Sequence, residues 1–208
     1  MTDWTDQRAT MVDGLAKRDD LSERTLAAMR AVPRHEFVPE RKRHAAYQDT
    51  PLPIGEGQTI SAPHMVAIMV ELLDLQPGDT VLEIGTGCGY HAAVTAEVVG
   101  AEHVYSVEYH DRLASEARER LSAVGHGDVS VRAGDGKQGW PEFAPYDRAY
   151  LTCAASSLPR AVVEQVRPGG IVLAPVGDQR QVLVRARRRA DGSLDREERG
   201  RVRFVPLQ

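Results

Sequence analysis

The chain has 208 residues, of which 42% are hydrophobic, and a formal net charge of −4 at pH 7. This length and composition suit one domain with a small extension and a substantial core, and the charge argues against a broad basic surface for nucleic acid. No apolar run approaches the roughly 20 residues of a membrane span, and the polar start MTDWTDQRAT is unlike a signal peptide. The two cysteines, Cys88 and Cys153, form neither a disulfide framework nor a metal-binding quartet. We therefore expect a cytoplasmic protein without metal, membrane or nucleic-acid partners.

Residues 1–64 are predicted to form a helical extension that ends in a long loop. Apolar residues at helical spacing predict helical structure over residues 1–30, with Ser22 or Asp20 near a helix start and Pro33 at the end. This extension precedes the main sheet, and together the two parts are expected to form one compact unit.

The loop covers residues 50–63, TPLPIGEGQTISAP, which are rich in proline and glycine and have no period. A loop of this length without secondary structure is usually functional or disordered, and its apolar residues argue against disorder. Ser61 is predicted to cap the N-terminus of the next helix, with Pro63 in the first turn.

Residues 65–208 are predicted to form an α/β domain in which strands and helices alternate. The predicted strands cover residues 81–84, 104–108, 130–133, 146–152, 171–175, 181–189 and 199–205. The predicted helices cover residues 65–73, 91–96, 111–123 and 158–166. The alternation predicts a doubly wound, mostly parallel sheet, and the last two strands are expected to pair antiparallel around an Asp191-Gly192 turn at one edge. The basic run 185–189 is interpreted as a solvated face of that hairpin.

The most informative stretch is TVLEIGTGCGY, residues 80–90, in which a buried strand leads into a glycine turn and the start of a helix. Glycines let the backbone turn tightly and approach a ligand. The dinucleotide pattern G-x-G-x-x-G fails because Tyr90 stands where its third glycine belongs, and the Gly-Lys-Ser/Thr ending of a phosphate-binding loop is absent. What remains is one acid inside the strand, Glu83, and a second acid, Glu108, at the end of the next strand. Carboxylates suit a ligand with an amino group, a sulfonium and a ribose diol, and they suit a pyrophosphate badly.

These residues resemble motif I of the class I S-adenosylmethionine-dependent methyltransferases, which have a Rossmann-like α/β fold. Further blocks resemble the protein-L-isoaspartate (D-aspartate) O-methyltransferase family, occur in the family's order and cover nearly the whole chain. The N-terminal blocks are VPRHEFVP, PLPIG and QTISAPHM, at residues 32–39, 51–55 and 58–65. The later blocks lie at residues 133–136, 144–147, 167–170, 175–177 and 204–207.

The resemblance implies an enzyme that transfers methyl from S-adenosylmethionine to the free α-carboxylate of L-isoaspartyl residues in damaged proteins and peptides, with D-aspartyl residues as an open second acceptor. Such residues arise when asparagine deamidation or aspartate isomerisation reroutes the backbone through the side chain. The methyl ester closes to a succinimide, and hydrolysis returns some normal aspartate. The acceptor carboxylate is already ionised near neutral pH, so orientation matters more than a strong base. The cofactor product is S-adenosyl-L-homocysteine, and the protein is expected to act as a monomer.

The resemblance also implies roles for residues at matching motif positions. Ser61 is the expected catalytic residue, because its hydroxyl would orient the substrate carboxylate. The residues expected to bind the cofactor are Thr59, Ile60, Glu83, Gly85, Thr86, Gly87, Gly89, Glu108, Tyr109, Asp135 and Gly136. The residues expected along the substrate peptide are Ser61, Tyr47, Asp49, Val176 and Gly177.

Several of these roles have alternatives. Glu83 either reaches the amino end of the cofactor or braces the glycine loop. Glu108 is expected on the ribose hydroxyls and Tyr109 beside the adenine. Asp135 either faces the adenine amino group or only forms its Gly-Asp-Gly turn. Tyr47 and Asp49 line the peptide groove or serve packing and turns.

Three features depart from the family pattern. Cys88 replaces a small hydroxyl residue in the glycine loop, and Arg148 takes a strand position that is usually apolar, so it is expected at the strand entrance. The chain ends at Gln208, whereas many relatives continue near the cofactor, so this cover is expected to be missing or supplied by another subunit.

Three rival functions stay open on the sequence. They are a methyltransferase for another carboxylate or a small molecule, a binder of damaged protein or cofactor without turnover, and a nicotinamide-dependent dehydrogenase. The glycine spacing disfavours the last of these.

Overall fold

The computed structural model describes residues 3–18 and 20–208, and it begins with two helices, α1 (Trp4–Arg18) and α2 (Glu23–Ala31). The helical structure predicted over residues 1–30 thus consists of two helices, and residues 1, 2 and 19 lie outside the described residues. The predicted cap is confirmed, because the Ser22 hydroxyl oxygen accepts a hydrogen bond from the Thr25 backbone N–H at 3.3 Å. This cap starts the second helix independently of the first.

The loop predicted over residues 50–63 contains a small antiparallel sheet, so the expectation of an unstructured loop is wrong. Strands β1 (Leu52–Gly55) and β2 (Gln58–Ile60) pair around a two-residue turn. Glu56 and Gly57 both adopt positive φ angles, 51° and 70°, which two-residue hairpin turns favour because their twist matches that of the strands. The apolar side chains of the hairpin are buried at alternating positions, which orders the segment.

Helix α3 (Pro63–Leu73) follows the hairpin, with Pro63 in its first turn as predicted. Its N-cap is Ala62, which makes no side-chain capping bond, so the prediction that Ser61 caps this helix is wrong. Ser61 lies one residue earlier, and its carbonyl oxygen accepts a hydrogen bond from Arg34 instead.

A central sheet of seven strands, in the order β5-β4-β3-β6-β7-β8-β9, forms the core of the α/β part. Its strands are β3 (Val81–Ile84), β4 (Val104–Glu108), β5 (Ser130–Ala133), β6 (Tyr146–Leu151), β7 (Val166–Val176), β8 (Gln181–Arg188) and β9 (Leu194–Val202). The connecting helices are α4 (Tyr90–Val99), α5 (Asp111–Ala123) and α6 (Arg160–Gln165). Strands β3 to β7 run parallel, and β8 and β9 add an antiparallel edge, which confirms the predicted fold class.

The antiparallel edge differs from the prediction in two ways. Strand β9 starts at Leu194, opposite Arg188, because pairing resumes directly after the Asp191-Gly192 turn, and so the predicted start at residue 199 is too late. The basic run is not simply solvated. Arg185 is half-buried, and its Nε donates to the Leu72 carbonyl oxygen at 2.8 Å.

Arg148 lies inside β6 and is only 7% exposed, deeper than the strand entrance that was expected. Its Nε donates to the Leu73 carbonyl at 2.7 Å, and its Nη2 donates to the Asp74 carbonyl at 2.9 Å. The same nitrogen lies 3.4 Å from a carboxylate oxygen of Asp79. Arg148 thus satisfies carbonyls at the C-terminal end of α3, where a cation is electrostatically favourable.

The N-terminal helices share one hydrophobic core with the sheet. Val12, Met29 and Phe37 are fully buried in the same cluster as Val81 and Tyr150 of the strands. Within the described part of the chain, no helix combines the length and apolar character needed to cross a bilayer.

Candidate active site

A cavity lies over the carboxyl ends of the parallel strands, the edge at which doubly wound folds bind ligands. The structure brings these predicted site residues to its wall: Thr59, Ile60, Ser61, Gly85, Thr86, Gly87, Glu108, Tyr109 and Gly136. They come from four regions, namely β2 with the residue that follows it, the glycine loop, the end of β4 and the turn after β5.

The glycine loop turns where a side chain would not fit. Gly85 has a φ of 96°, and a Cβ atom there would collide with the Oγ1 of Thr152. Gly89 has a φ of 91° and forms the N-cap of α4, but a Cβ atom there would lie 3.1 Å from the Cγ of Leu121 on α5. Gly85 therefore shapes the cavity, whereas Gly89 does not line it and allows α4 and α5 to pack closely.

Glu108 joins the glycine loop to the end of β4. Its Oε2 accepts the Gly87 backbone N–H at 2.8 Å, and its Oε1 accepts the His110 backbone N–H at 3.0 Å. Glu108 is only 4% exposed and lines the cavity. The exposed ring of Tyr109, the next residue, lines it too. Carboxylate oxygens have lone pairs beyond these two bonds, so Glu108 can accept further hydrogen bonds from a ligand hydroxyl.

Glu83 is fully buried beneath the loop and does not line the cavity. It accepts hydrogen bonds from the Tyr150 hydroxyl at 2.8 Å and from the Ser106 hydroxyl, which in turn is hydrogen-bonded to the Thr86 hydroxyl. Burial raises the pKa of Glu83 to about 8, and the two hydrogen bonds only partly oppose this rise. Of the two roles considered for Glu83, this geometry corresponds to bracing of the glycine loop through Ser106.

Ser61 is held from the N-terminal part of the chain. Arg34, which is fully buried, donates from Nη2 to the Ser61 carbonyl oxygen and from Nε to the Ala46 carbonyl oxygen, each at 2.8 Å. Its guanidinium lies 4.8 Å from the centre of the Tyr90 ring, a cation–π contact. Burial lowers the pKa of Arg34 from its usual value. Arg34 lies in the block at residues 32–39 that resembles the family, but the sequence pattern predicted no role for it.

An open groove adjoins the cavity and shares part of its wall. Thr59, Ser61, Thr152 and Val205 line both spaces. The remainder of the groove is lined by Pro51, Ala62, His64, Met65, Arg201, Val202, Arg203 and Phe204. The groove is therefore polar and basic on one side, and Ser61 lies between it and the cavity.

Five other predicted residues lie outside the cavity wall. The Asp135 carboxylate accepts the Lys137 backbone N–H at 2.9 Å, which is the turn role considered for it. The Tyr47 hydroxyl is 2.7 Å from Nδ1 of His35, in a separate depression beside α1. The Gly177 N–H donates to the Ala155 carbonyl at 2.9 Å, so the backbone near Val176 is paired within the chain.

Asp49 is the fifth of these residues, and it contacts the groove only through a neighbour. Its Oδ1 accepts from the backbone N–H of His64 at 2.9 Å and lies 2.8 Å from Nδ1 of the His64 ring. His64 itself lines the groove.

Several residues of the cavity wall carried no assigned role in the sequence analysis: Cys88, Tyr90, His91, Thr152, Cys153 and residues 205–208. The family block at residues 204–207 could have indicated the last group. This tail is fixed beside β6 by hydrogen bonds between the backbones of Ala154, Val205 and Leu207, each 2.8 Å long. The tail therefore forms one wall of the cavity.

Comparisons with known proteins agree with this geometry. The family model described as protein-L-isoaspartate(D-aspartate) O-methyltransferase matches residues 6–208. Protein-L-isoaspartate O-methyltransferase 2 of Archaeoglobus fulgidus is 51% identical over 207 residues, covering 99% of this chain and 94% of that protein. The Methanosarcina mazei protein-L-isoaspartate O-methyltransferase is 48% identical over 201 residues, covering 96% of this chain and 82% of that protein.

Solved structures show the same fold. A protein-L-isoaspartate O-methyltransferase structure superposes with a TM-score of 0.87 at 31% identity, covering 97% of this chain and 66% of that chain. A Plasmodium falciparum structure, described as a putative protein-L-isoaspartate O-methyltransferase in complex with S-adenosyl-L-homocysteine, has a TM-score of 0.84 at 23% identity, and covers 97% of this chain and 98% of its own. The chain therefore belongs to the protein-L-isoaspartate (D-aspartate) O-methyltransferase family.

Proposed function

We propose that this protein transfers the methyl group of S-adenosylmethionine to the free α-carboxylate of L-isoaspartyl residues in damaged proteins, which starts their repair through a succinimide. The observation that carries this proposal is the wall shared by the cavity and the groove, which is formed by Thr59, Ser61, Thr152 and Val205. A cofactor in the cavity and a carboxylate in the groove would meet at this wall.

The residues around the cavity fit the cofactor. Glu108 offers free lone pairs to the ribose hydroxyls, and the exposed ring of Tyr109 offers a face to the adenine. The absence of a side chain at Gly85 lets the loop pack directly against Thr152 at the edge of the cavity. When bound, S-adenosylmethionine supplies an electrophilic methyl group on a sulfonium.

The protein's part in the reaction is orientation. The acceptor carboxylate is ionised near neutral pH and needs no general base. Thr152 donates its hydroxyl to the carbonyl oxygens of the glycine loop, whereas the Ser61 hydroxyl makes no hydrogen bond to the described residues. We therefore assign to Ser61 the hydrogen bond that aligns the carboxylate with the methyl group. Opposite charges partly cancel in the transition state, so a closed cavity that excludes water favours it.

The groove supplies charge that suits the acceptor. Arg201 and Arg203 line it and form no ion pair with the described residues, so their positive field attracts a carboxylate. Asp49 would act indirectly, by holding His64 at the groove edge. Tyr47, Val176 and Gly177 gain no support as substrate contacts from this arrangement.

We further propose that the protein acts in the cytoplasm as a monomer on damaged protein chains, without nucleic-acid or membrane partners. The two cysteines are free thiols, in keeping with a reducing compartment. The net charge of −4 also disfavours a general affinity for nucleic acid.

Methyl transfer to two matched peptides tests the proposal, one with L-isoaspartate and one with ordinary L-aspartate at the same position. The expected result is a base-labile methyl ester on the isoaspartyl peptide alone. Transfer to both peptides would contradict the selectivity. No transfer to either, with S-adenosyl-L-homocysteine still bound, would favour another acceptor or a binding role.

A further inference from the structure

His91 is a buried polar side chain whose two ring nitrogens have no partner among the described residues. The residue is only 6% exposed and lines the cavity, and neither Nδ1 nor Nε2 forms a hydrogen bond with the described part of the chain. Its ring packs against the Tyr150 ring, with 4.6 Å between the centroids. Buried polar atoms without partners are rare in folded proteins because each costs free energy. A ligand in the cavity would remove this cost.

The ring is also electrically neutral. Burial lowers the pKa of His91 to about 3, so the ring carries no charge near neutral pH. A neutral imidazole has one N–H donor and one acceptor nitrogen. His91 can therefore give one hydrogen bond without bringing a second positive charge close to a sulfonium.

The position of His91 indicates which part of a ligand it meets. It lies in the first turn of α4, a helix of ten residues whose N-terminus borders the cavity. The Tyr150 ring beneath it belongs to β6, whereas Glu108 and Gly136 border the cavity at the ends of β4 and β5. If the adenosine lies beside Glu108 and Gly136, the amino-acid part of the cofactor lies towards His91.

A helix N-terminus favours an anion, because its free N–H groups and dipole present partial positive charge. The amino-acid part of S-adenosylmethionine carries one anionic group, the α-carboxylate. We propose that His91 is a cofactor-binding residue whose ring N–H donates a hydrogen bond to that carboxylate. This inference rests on the proposed function, because it requires this cofactor in this cavity.

Calorimetry with two probes tests the contact directly. The probes are S-adenosyl-L-homocysteine and S-adenosyl-3-thiopropylamine, which is the same molecule without the carboxylate. His91→Leu should weaken binding of the first probe by about tenfold or more and change binding of the second by less than about twofold. His91→Gln keeps an N–H donor and should retain most of the affinity.

Thr95→Val provides a matched control. Thr95 is fully buried on the same helix and hydrogen-bonded to the Tyr150 hydroxyl at 3.0 Å, but it does not line the cavity. This variant disturbs the same ring without removing a cavity group, so both probes should bind it as they bind the unaltered protein.

A second measurement needs no variant that might misfold. In the unaltered protein with 15N-labelled histidine, S-adenosyl-L-homocysteine should shift the His91 ring resonances, and the analogue without the carboxylate should not. Three results would overturn this inference and leave the proposed function intact. His91→Leu could weaken the binding of both probes equally, it could leave the binding of both unchanged, or both probes could shift the His91 ring resonances equally. Failure of the unaltered protein to bind either probe would overturn the proposed function together with it.

Discussion

Two buried ionisable side chains support different parts of the cavity wall, and they meet the cost of burial in opposite ways. Glu83 supports the glycine loop through Ser106, and burial raises its pKa to about 8, so near neutral pH it is mostly protonated. Arg34 supports Ser61 and keeps its charge. Its Nε and Nη2 donate to the carbonyl oxygens of Ala46 and Ser61, whereas its Nη1 has no hydrogen-bond partner among the described residues.

The difference follows from the chemistry of the two groups. A buried carboxylate can take up a proton and become neutral, whereas a guanidinium stays protonated in proteins and must find acceptors. The acceptors of Arg34 lie 12 and 27 residues further along the chain, so its charge fastens the N-terminal part to the Ser61 loop. Loss of Arg34 should therefore disturb the Ser61 loop, where the substrate carboxylate is expected. Loss of Glu83 should disturb the glycine loop, where the cofactor is expected.

The largest effect is expected from Arg34→Met, which leaves one buried and one partly buried carbonyl oxygen without their donor. The free energy of unfolding should fall by about 3 kcal/mol or more, and methyl transfer should fall with it. Urea unfolding and turnover on an isoaspartyl peptide would measure the two. Arg34→Lys keeps the charge but loses the planar set of N–H donors. Its free energy of unfolding and its turnover should lie between those of the unaltered protein and Arg34→Met. If Arg34→Met were as stable and as active as the unaltered protein, Arg34 would not be needed to position Ser61.

Ser61→Ala should act on chemistry alone. Loss of the orienting hydrogen bond should lower kcat for the isoaspartyl peptide by about 100-fold, while the Kd for S-adenosyl-L-homocysteine and the Tm stay unchanged. Steady-state kinetics and calorimetry on one preparation would separate these quantities. Full turnover in this variant would show that the hydroxyl does not orient the carboxylate.

Glu83→Gln should change how stability depends on pH. The pKa of Glu83 is raised from 4.5 in the unfolded chain to about 8 in the fold. The folded protein therefore keeps a proton that the unfolded chain has lost, so the stability from this group is present below pH 4.5 and disappears as pH rises through about 8.

Between pH 6.5 and 8 this effect should lower the stability of the unaltered protein by about 2 kcal/mol at most, relative to Glu83→Gln. Glutamine mimics the protonated acid and has no such dependence. Urea unfolding of both proteins at several pH values would measure the difference. This window avoids His91, whose lowered pKa costs stability only as pH falls below 6.5 towards 3. Parallel stability curves for the two proteins would mean that Glu83 is ionised in the fold.

The smallest effect is expected in the groove, where the charges are exposed. Arg201→Gln or Arg203→Gln should raise KM for an acidic isoaspartyl peptide by about threefold, and added salt should reduce the difference. Arg199→Gln is the matched control, because Arg199 lies on the same strand as Arg201, pairs with Glu197 and does not line the groove. An equal change in the control would assign the effect to net charge rather than to the groove.

Patterns local to the chain determined most of the α/β part. The predicted bounds of α5 and β5 match the structure, and so do the glycine loop and the acid that ends β4. The period of apolar residues indicates whether a segment is buried on one face or on both, and glycine spacing indicates where the backbone must turn. Both patterns can be interpreted without knowing which residues the segment contacts in the fold. The β1–β2 hairpin was also within reach, since Glu-Gly at its turn is a local signal.

Only the tertiary structure decided what the buried polar groups do. The sequence could not show that Glu83 accepts hydrogen bonds from Ser106 and Tyr150, or that Arg34 donates to the Ser61 carbonyl oxygen. Nor could it show that the His91 ring nitrogens have no hydrogen-bond partner in the part of the chain that the structure describes. It likewise could not show that the Gly177 N–H already donates to the Ala155 carbonyl oxygen. Burial and hydrogen-bond partners depend on residues distant in the chain, and they determine both the protonation of a side chain and its freedom to bind a ligand.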